Sequence, residues 1–386
     1  ANLTNWAERV DLAAAFRWTV RENMHEAVSN HFSLAVNPEG TRFLINPNGV
    51  LVGPGARIDT AGFIASSLAL DDADFLAGRL RFTDPAVGAG VVRNEGLIQG
   101  RGGLVALVGP QVHNSGTVAS AGGSIVLAAG RSVELVDAYT PAIRVRIDGV
   151  ASDAQLQQVL QRGTLTTAVT AGDDAVGARI DGGRIVLYAA GEADVAGVMD
   201  ASQASGAGGG VDVSGRTVRL REGARIDASG ARGGGLVRIG GSPGDGSQAT
   251  ALEAGSTVRA DATAEGQGGR VIIWSDGDTA ARGRVQARGA GAGGGGFVET
   301  SGKRTLDVTG LSLDVSPERA GAPGGTWLLD PYNIEVVAGN SVTNNGGATG
   351  FTPSGSNSQV GADLLNAQLD AGTSVTLDTA GAGADA

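Results

Sequence analysis

Two groups of neighbouring carboxylates are the residues of this sequence best suited to chemistry. The first group is Asp71, Asp72 and Asp74, and the second is Asp173 and Asp174. Clustered carboxylates bind Ca²⁺ or act as acid and base, as in enzymes that cleave polysaccharides. Adjacent acids in loops are more commonly just solvated. We therefore predict that the chain is not an enzyme, and a carbohydrate-active lyase or hydrolase remains the alternative.

Metal and cofactor sites gain little support from the other residue types. The chain has no Cys, which removes thiolate ligands and Cys nucleophiles. Its three histidines, His25, His31 and His113, do not have the spacing of metal ligands. The segment Gly240–Asp245 is a single imperfect copy of a Ca²⁺-binding repeat that normally occurs in tandem. We predict no metal and no cofactor.

Glycine runs and tryptophans also have structural interpretations. The runs Gly206–Gly210 and Gly289–Gly296 lack the Lys-Ser/Thr of a phosphate-binding loop, and they lead into strand-like segments instead of helices. We interpret them as corner turns. Trp274 and Trp327 lie within strand-like segments, so we expect them to pack in a core or cap and not to stack on sugars.

Overall charge and hydropathy restrict the partners. The net charge of -11 disfavours nucleic acid and anionic lipid, which bind to basic surfaces. No stretch approaches the ~18 apolar residues of a membrane-spanning helix. Hydrophobic residues make up 41% of the chain, which is too many for a disordered protein. We predict a folded protein that neither binds nucleic acid nor inserts into a membrane.

A repeated pair of glycines, each followed by a short apolar run, organises the sequence. Glycine accounts for 65 of the 386 residues. Most pairs recur roughly every 20 to 34 residues, a spacing typical of solenoids. The pairs are Gly102-Gly103, Gly122-Gly123, Gly182-Gly183, Gly234-Gly235, Gly268-Gly269, Gly295-Gly296 and Gly324-Gly325.

This repeat predicts an all-β fold, a right-handed parallel β-helix. Helical repeats are disfavoured because each Gly costs ~1 kcal/mol relative to Ala in a helix. Val, Ile and Leu alternate with Arg, Asp and Ser, which indicates strands with one face inward. We expect glycine at the corners because it adopts positive φ angles. From Phe43 to Leu377, at ~25 residues per coil, the prediction is about 13 stacked coils.

Composition divides the chain into five predicted segments. A stripe of apolar residues predicts a helix over Asp11–Ser29, Ala151–Leu160 is a second helix candidate, and Ala362–Leu369 a third. Asn340–Ser358 is predicted to be a loop and Ser374–Leu377 a final strand. The segments are 1–36, an atypical, partly helical segment and possible cap; 37–150, the first β-helix coils; 151–170, a short helical excursion; 171–330, Gly-rich repeats; and 331–386, a loop, helix and strand.

The strongest local motif is a turn between two apolar runs. Asn46, Pro47, Asn48 and Gly49 have the residue preferences of a type I turn, and Val50 begins the second run. As local structure, this motif predicts two strands joined by a tight corner.

The region around this turn resembles the secretion domain of two-partner-secretion exoproteins, the filamentous haemagglutinin family. The family motif Asn-Pro-Asn-Gly-Ile/Val matches Asn46, Pro47, Asn48, Gly49 and Val50. Residues 1–36 depart from the family, whose members usually carry an earlier Asn-Pro motif. The further similar segments are Gly62–Leu68, Asp74–Gly78, Val105–Val112, Val126–Gly130, Gly325–Ile334 and Leu365–Leu377.

The resemblance implies a secreted or surface-bound adhesin of a Gram-negative bacterium. Such proteins cross the periplasm and leave through a partner β-barrel in the outer membrane, and their targets are host-surface proteins or glycans. Some family members bind haem carriers, which is a further alternative. No signal peptide is visible at Ala1–Thr4, and Gly381–Ala386 has no cap. We therefore expect a removed leader or a fragment, and a longer parent protein.

Overall fold

The computed structural model describes residues 41–84, 90–138, 140, 142–147, 157–169, 183–241, 246–339 and 358–379. In this part of the chain the backbone winds into successive coils of three short strands, and equivalent strands pair in parallel from coil to coil. The predicted parallel β-helix is confirmed. The predicted segment 1–36, with its helix over Asp11–Ser29, and all but the last residue of the loop Asn340–Ser358 lie outside the described residues.

Three faces surround the core, and each is a stack of parallel strands. The first face contains β1 (Thr41–Ile45), β4 (Gly62–Ser66), β9 (Leu104–Gly109), β12 (Ser124–Ala129), β17 (Arg184–Val195), β19 (Gly210–Leu220), β21 (Leu236–Ile239), β24 (Arg270–Ile273), β27 (Phe297–Gly302), β30 (Thr326–Pro331) and β33 (Ser374–Leu377). The long strands β17 and β19 continue around the corner into the second face.

The second and third faces complete each coil. Besides the ends of β17 and β19, the second face contains β2 (Val50–Val52), β7 (Val91–Asn94), β10 (Gln111–Asn114), β15 (Gln158–Gln161), β22 (Ala249–Leu252), β25 (Asp278–Ala281) and β28 (Thr305–Asp307). The third face contains β3 (Arg57–Thr60), β8 (Leu97–Gly100), β11 (Thr117–Ala119), β16 (Thr164–Thr166), β18 (Val198–Asp200), β20 (Arg225–Asp227), β23 (Thr257–Arg259), β26 (Arg284–Gln286) and β29 (Ser312–Asp314).

The described residues form nine complete coils, because the third face has nine strands. We number them coil 1, which begins with β1, to coil 9, which begins with β27. The expected number of about 13 coils was too high, because residues between β4 and β7 and between β12 and β15 leave the stack. Two strands of the first face, β30 and β33, extend beyond coil 9.

A single inward residue from each third-face strand shows how the core is built. From coil 2 to coil 9 this inward residue is apolar, aligned with its neighbours in adjacent coils and at most 8% exposed, whereas Ile58 of β3 in coil 1 is only partly buried. A coil cannot bury this residue by itself, so the core exists only when coils stack. The column is Ile98, Val118, Leu165, Met199, Ile226, Val258, Val285 and Leu313.

An antiparallel sheet covers the outside of the first face in the early coils. Its strands, in spatial order, are β14 (Arg144–Ile147), β13 (Ser132–Val136), β6 (Leu80–Thr83) and β5 (Ala69–Leu70), and helix α1 (Asp72–Leu76) lies between β5 and β6 in the chain. Phe82 and Val133 on this sheet pack with Ile64, Ala106 and Val126 in a second apolar core. The early first-face strands are therefore buried on both sides and lose the alternation expected of a half-buried strand.

The helix predicted over Ala151–Leu160 is wrong in its described part. Residues 158–161 form β15 and residues 164–166 form β16, so they complete coil 4 instead of leaving the stack. A run with Leu156, Val159 and Leu160 fits either period over so short a length, and pairing with coil 3 decides in favour of the strand.

The C-terminal helix and strand lie where the sequence predicts them. Helix α2 spans Ala362–Asp370, and β33 pairs with β30. The Gln368 side-chain amide donates to the backbone oxygen of Leu313 at 3.1 Å, which places α2 against β29. Strands β31 (Ile334–Val337) and β32 (Ser358–Gly361) form a separate parallel pair. Trp327 is fully buried in the main core, as predicted.

The paired glycines are needed mainly for close approach between coils. Positive φ angles occur at Gly102 (79°) and Gly122 (64°), but the second glycine of each described pair has no such angle. A side chain at Gly235 would lie less than 3.0 Å from the backbone oxygen of Gly209, which accepts a hydrogen bond from the Leu236 amide. We expected these glycines to be needed for positive φ angles at corners. For most pairs this expectation is wrong, and close approach of the neighbouring coil is the reason.

Buried side-chain amides form a ladder at the corner between the second and third faces. Asn94, Asn114 and Gln161 occupy one register position in coils 2, 3 and 4, and none is more than 1% exposed. Asn94 donates to Asn114 and Asn114 donates to Gln161, each at 2.8 Å. An unsatisfied buried amide is costly, so this continuous ladder favours one register of stacking.

The glycine stack generates a direct test. We expect Gly235→Ala to lower the free energy of unfolding by about 1–3 kcal/mol, because the added carbon pushes two coils apart. Gly53→Ala is the matched control: a Cβ added there would meet no atom within 4 Å and the residue has no positive φ, so we expect a change within about 0.5 kcal/mol. Urea denaturation of both variants measures the difference, and equal losses would contradict the close-approach explanation.

Candidate functional site at the first corner

The segment Asn46–Val50 forms the corner between β1 and β2. The Gly49 amide donates to the Asn46 backbone oxygen at 3.0 Å, which closes a four-residue turn as predicted. The Asn48 amide donates to the Asn46 side-chain oxygen at 3.1 Å. Pro47 has no amide hydrogen and its ring fixes φ, so it suits the second position of the turn.

Hydrogen bonds to coil 2 hold this corner in place. The Asn46 amide donates to the Ser66 oxygen at 2.9 Å, and the Gly90 amide donates to the Pro47 oxygen at 2.7 Å. Gly49 has a φ of 109°, and a side chain there would lie 2.7 Å from the Val91 oxygen. Glycine is therefore required at this position for both conformation and space.

The five motif residues differ in what they expose. Val50 points inward and is 3% exposed, whereas Asn46, Pro47 and Gly49 are half-buried. Asn48 is exposed, and its side chain makes no hydrogen bond among the residues that the structure describes. Within the described part of the chain, the other four residues shape the corner or fill the core, and the Asn48 side chain is left for solvent or a partner.

Leu51 is a surface residue that sequence reasoning missed. It follows the motif on β2 and is 63% exposed, the highest exposure among the large hydrophobic side chains described. The available signal was its position between Val50 and Val52, since alternate residues of a strand face opposite sides. The first corner thus presents an amide and an apolar side chain.

The structure gives the first acidic group local roles. The Asp71 side chain accepts a hydrogen bond from the Ala73 amide at 2.7 Å and caps α1. Asp74 pairs with Arg79, whose Nε lies 2.7 Å from the carboxylate. Asp72 lies in the first turn of the same helix, where negative charge is favourable. Asp173 and Asp174 lie outside the described residues.

Histidines and acids elsewhere do not converge on a metal site in the described part of the chain. Burial lowers the pKa of His113, and Arg93 and Arg162 lower it further, so its imidazole is neutral near pH 7. His25 and His31 lie outside the described residues. Asp330, which sequence reasoning did not single out, has a pKa raised by burial and by Asp378 and Glu299.

Fold and corner together define a class: a parallel β-helix with an Asn-Pro-Asn-Gly turn at its first coil. The sequence model of the TPS secretion domain matches residues 36–286. The chain therefore belongs to the TPS (two-partner secretion) secretion domain family and is an exoprotein of the filamentous haemagglutinin type. The family implies passage through the periplasm and export by a TPS transporter of the outer membrane.

Structural comparison agrees with this assignment. The secretion domain of HMW1 from Haemophilus influenzae is similar, with 31% sequence identity and a TM-score of 0.56. The alignment covers 75% of this chain and 80% of that chain. No curated protein sequence matches significantly. The described helices are all too short or too polar to cross a membrane.

The corner geometry predicts a large loss of stability at one motif residue and almost none at its neighbour. We expect Gly49→Ala to lower the free energy of unfolding by about 1–3 kcal/mol, because alanine is strained at this φ. Asn48→Ala removes an exposed, unbonded side chain, so we expect a change within about 0.5 kcal/mol. Urea midpoints of the two purified variants test this. A large loss in Asn48→Ala would assign Asn48 a structural role instead.

Proposed function

We propose that the TPS transporter recognises the segment Asn46–Val50 and that the Asn48 side chain serves this recognition. The supporting observation is the division of roles within the motif. Asn46, Pro47 and Gly49 close the turn, and Val50 fills the core, whereas Asn48 contributes only its backbone amide and its side chain makes no hydrogen bond among the described residues. Its presence in the family motif then needs a reason other than stability.

Co-expression of the chain with each member of a panel of outer-membrane TPS transporters tests the proposal. We expect the wild-type chain in the medium and Asn48→Ala in the periplasm, with less than about a tenth of the wild-type yield secreted, because losing a specific polar contact costs roughly 1.4 kcal/mol or more. Wild-type secretion of Asn48→Ala would exclude this role for Asn48, and retention of the wild type with every transporter would exclude export by this route.

A matched control separates recognition of the motif from a general effect of removing an exposed amide side chain. Gln267 is also an exposed amide residue at a corner, but it lies far along the chain after β23. We expect Gln267→Ala to be secreted as the wild type is. Equal urea midpoints for Asn48→Ala and the wild type would show that any secretion defect does not come from unfolding.

We further propose that the exported chain acts as a non-catalytic, adhesin-type rod at the cell surface or in the medium, binding a host protein or glycan. Engagement of outward carboxylates by arginines supports the non-catalytic part of this role. Asp212, for example, binds Arg184 and Arg238, each at 2.6 Å, so its charge is used for cohesion between coils. Binding of the secreted chain to glycan and host-protein arrays, without cleavage of the glycans, is the expected result; cleavage would favour the enzyme alternative.

A further inference from the structure

The stack of coils ends differently on its three faces. Among the described residues, the second face ends at β28 and the third face at β29, whereas the first face continues through β30 and β33. Two later elements cover the faces that end, because β32 lies against β28 and α2 lies against β29. We call Ser358–Thr373, which contains β32 and α2, the end segment.

Side chains of the end segment take the hydrogen bonds that a tenth coil would otherwise make. The Leu306 amide on β28 donates to the Ser358 hydroxyl oxygen at 2.8 Å. The Gln368 side-chain amide donates to the Leu313 oxygen on β29 at 3.1 Å. The Gln368 side-chain oxygen in turn accepts a bond from the Thr373 hydroxyl at 3.3 Å. Buried backbone groups need partners, and here both ladders end on a side chain instead of on another strand.

Apolar side chains of the end segment close the main core. Val360 on β32 is fully buried, Leu365 on α2 is 9% exposed, and both belong to the main core. The inward third-face column has one residue at each end of the stack. Leu313 in coil 9 is 8% exposed although no described strand follows it on this face, whereas Ile58 in coil 1 is only partly buried. The end segment therefore buries coil 9 as a further coil would.

The outer side of α2 offers no surface for another coil. Its fully exposed residues include Asp363, Asn366 and Asp370, and Leu369 is the one large apolar residue among them. A helix bonds its amides and carbonyls within itself, so its side has no row of free backbone groups, whereas a strand edge has such a row and pairs with other strands. A polar outer face at the terminal unit also keeps a solenoid soluble. On the first face, the final strand β33 has only four residues, and short edge strands limit pairing.

We propose that the end segment is an autoinhibitory cap, which occupies the coil-stacking surface of coil 9 and so prevents a second copy of this chain from pairing with β28 and β29. Displacement of the cap exposes two strand edges and the apolar end of the main core together, and such surfaces associate. In a solution of the pure protein, the only strand edges available to them are those of another copy. The same surface on two copies can pair with itself about a two-fold axis.

Two substitutions in α2 form a matched test of the cap. Leu365→Asp places a carboxylate at a position that is 9% exposed, so we expect α2 to leave the core, because burying an unpaired charge is costly. Leu369→Asp adds the same charge to the same helix at a position that is 54% exposed, so we expect it to behave as the wild type does. Sedimentation of the whole chain over a range of concentrations measures association. We expect monomers for the wild type and Leu369→Asp, and concentration-dependent dimers or larger species for Leu365→Asp.

Hydrogen exchange with mass spectrometry locates the change, at a concentration where Leu365→Asp is still monomeric. We expect protection in this variant to fall at least about tenfold in β28 and β29 and less than about twofold in coils 1 to 7, because exchange reports local opening. Protection lost equally in every coil would show that the end segment belongs to one cooperative core and is not a cap. Unchanged protection in β28 and β29, or opened strands that stay monomeric at every concentration, would overturn the proposal as well.

Gln368→Ala tests the cap without adding a charge. The Leu313 oxygen loses its partner, so we expect protection in β29 to fall at least about fivefold, while β28, which Ser358 still covers, changes less than about twofold. Asn366→Ala is the matched control, because it removes an exposed amide side chain from the same helix, and we expect wild-type protection. Equal protection in Gln368→Ala and Asn366→Ala would contradict the role of the Gln368 side chain in ending the third face.

Discussion

The close stacking of one backbone coil on the next is the constraint on which the rest of this structure depends. Parallel strands pair at ~4.8 Å, so a corner that follows the same path in each coil brings a Cα directly over the carbonyl of the coil before it. Gly209, Gly235 and Gly269 occupy such positions in succession, and each would place a side chain less than 3.0 Å from the preceding glycine oxygen. Glycine pairs therefore mark where the coils come closest.

The same constraint dictates how polar groups can be buried. A polar side chain inside one coil meets an equivalent position in the next, so it is satisfied when its neighbour carries a complementary group. Asn94, Asn114 and Gln161 solve this with amides, which both donate and accept. Later coils use hydroxyls, such as Thr279 bonded to the Ser301 oxygen at 2.6 Å, and aspartate–arginine pairs.

Local patterns predicted the features that depend on local chemistry. The glycine pairs predicted the fold. The Asn46–Gly49 turn and the helix near Ala362 were placed correctly because turn and helix preferences act over a few residues.

The antiparallel sheet was not predicted, because covering the first face depends on contacts between Phe82 and residues distant in sequence. β15 was mistaken for a helix for the same reason: its partner, β10, is more than forty residues away in the chain. Leu51 was missed because all three residues of the Val50–Val52 run are apolar. The residue types therefore do not distinguish the outward side chain from the two inward ones. The five segment boundaries and the role of Asn48 stay predictions.

Folding changes what the first corner offers to a partner. In an extended chain all five motif residues are accessible, whereas in the folded chain Val50 enters the core, Asn46, Pro47 and Gly49 are half-buried, and Asn48 remains exposed. The corner also needs coil 2, because Ser66 and Gly90 supply its hydrogen bonds. A partner that binds the extended segment therefore competes with formation of the first two coils, and by linkage folding weakens that binding by the same free energy with which binding opposes folding. Release from such a partner and stacking of coil 2 on coil 1 are then one coupled step. The hydrogen bonds that shape the corner stabilise the folded coils and therefore favour release.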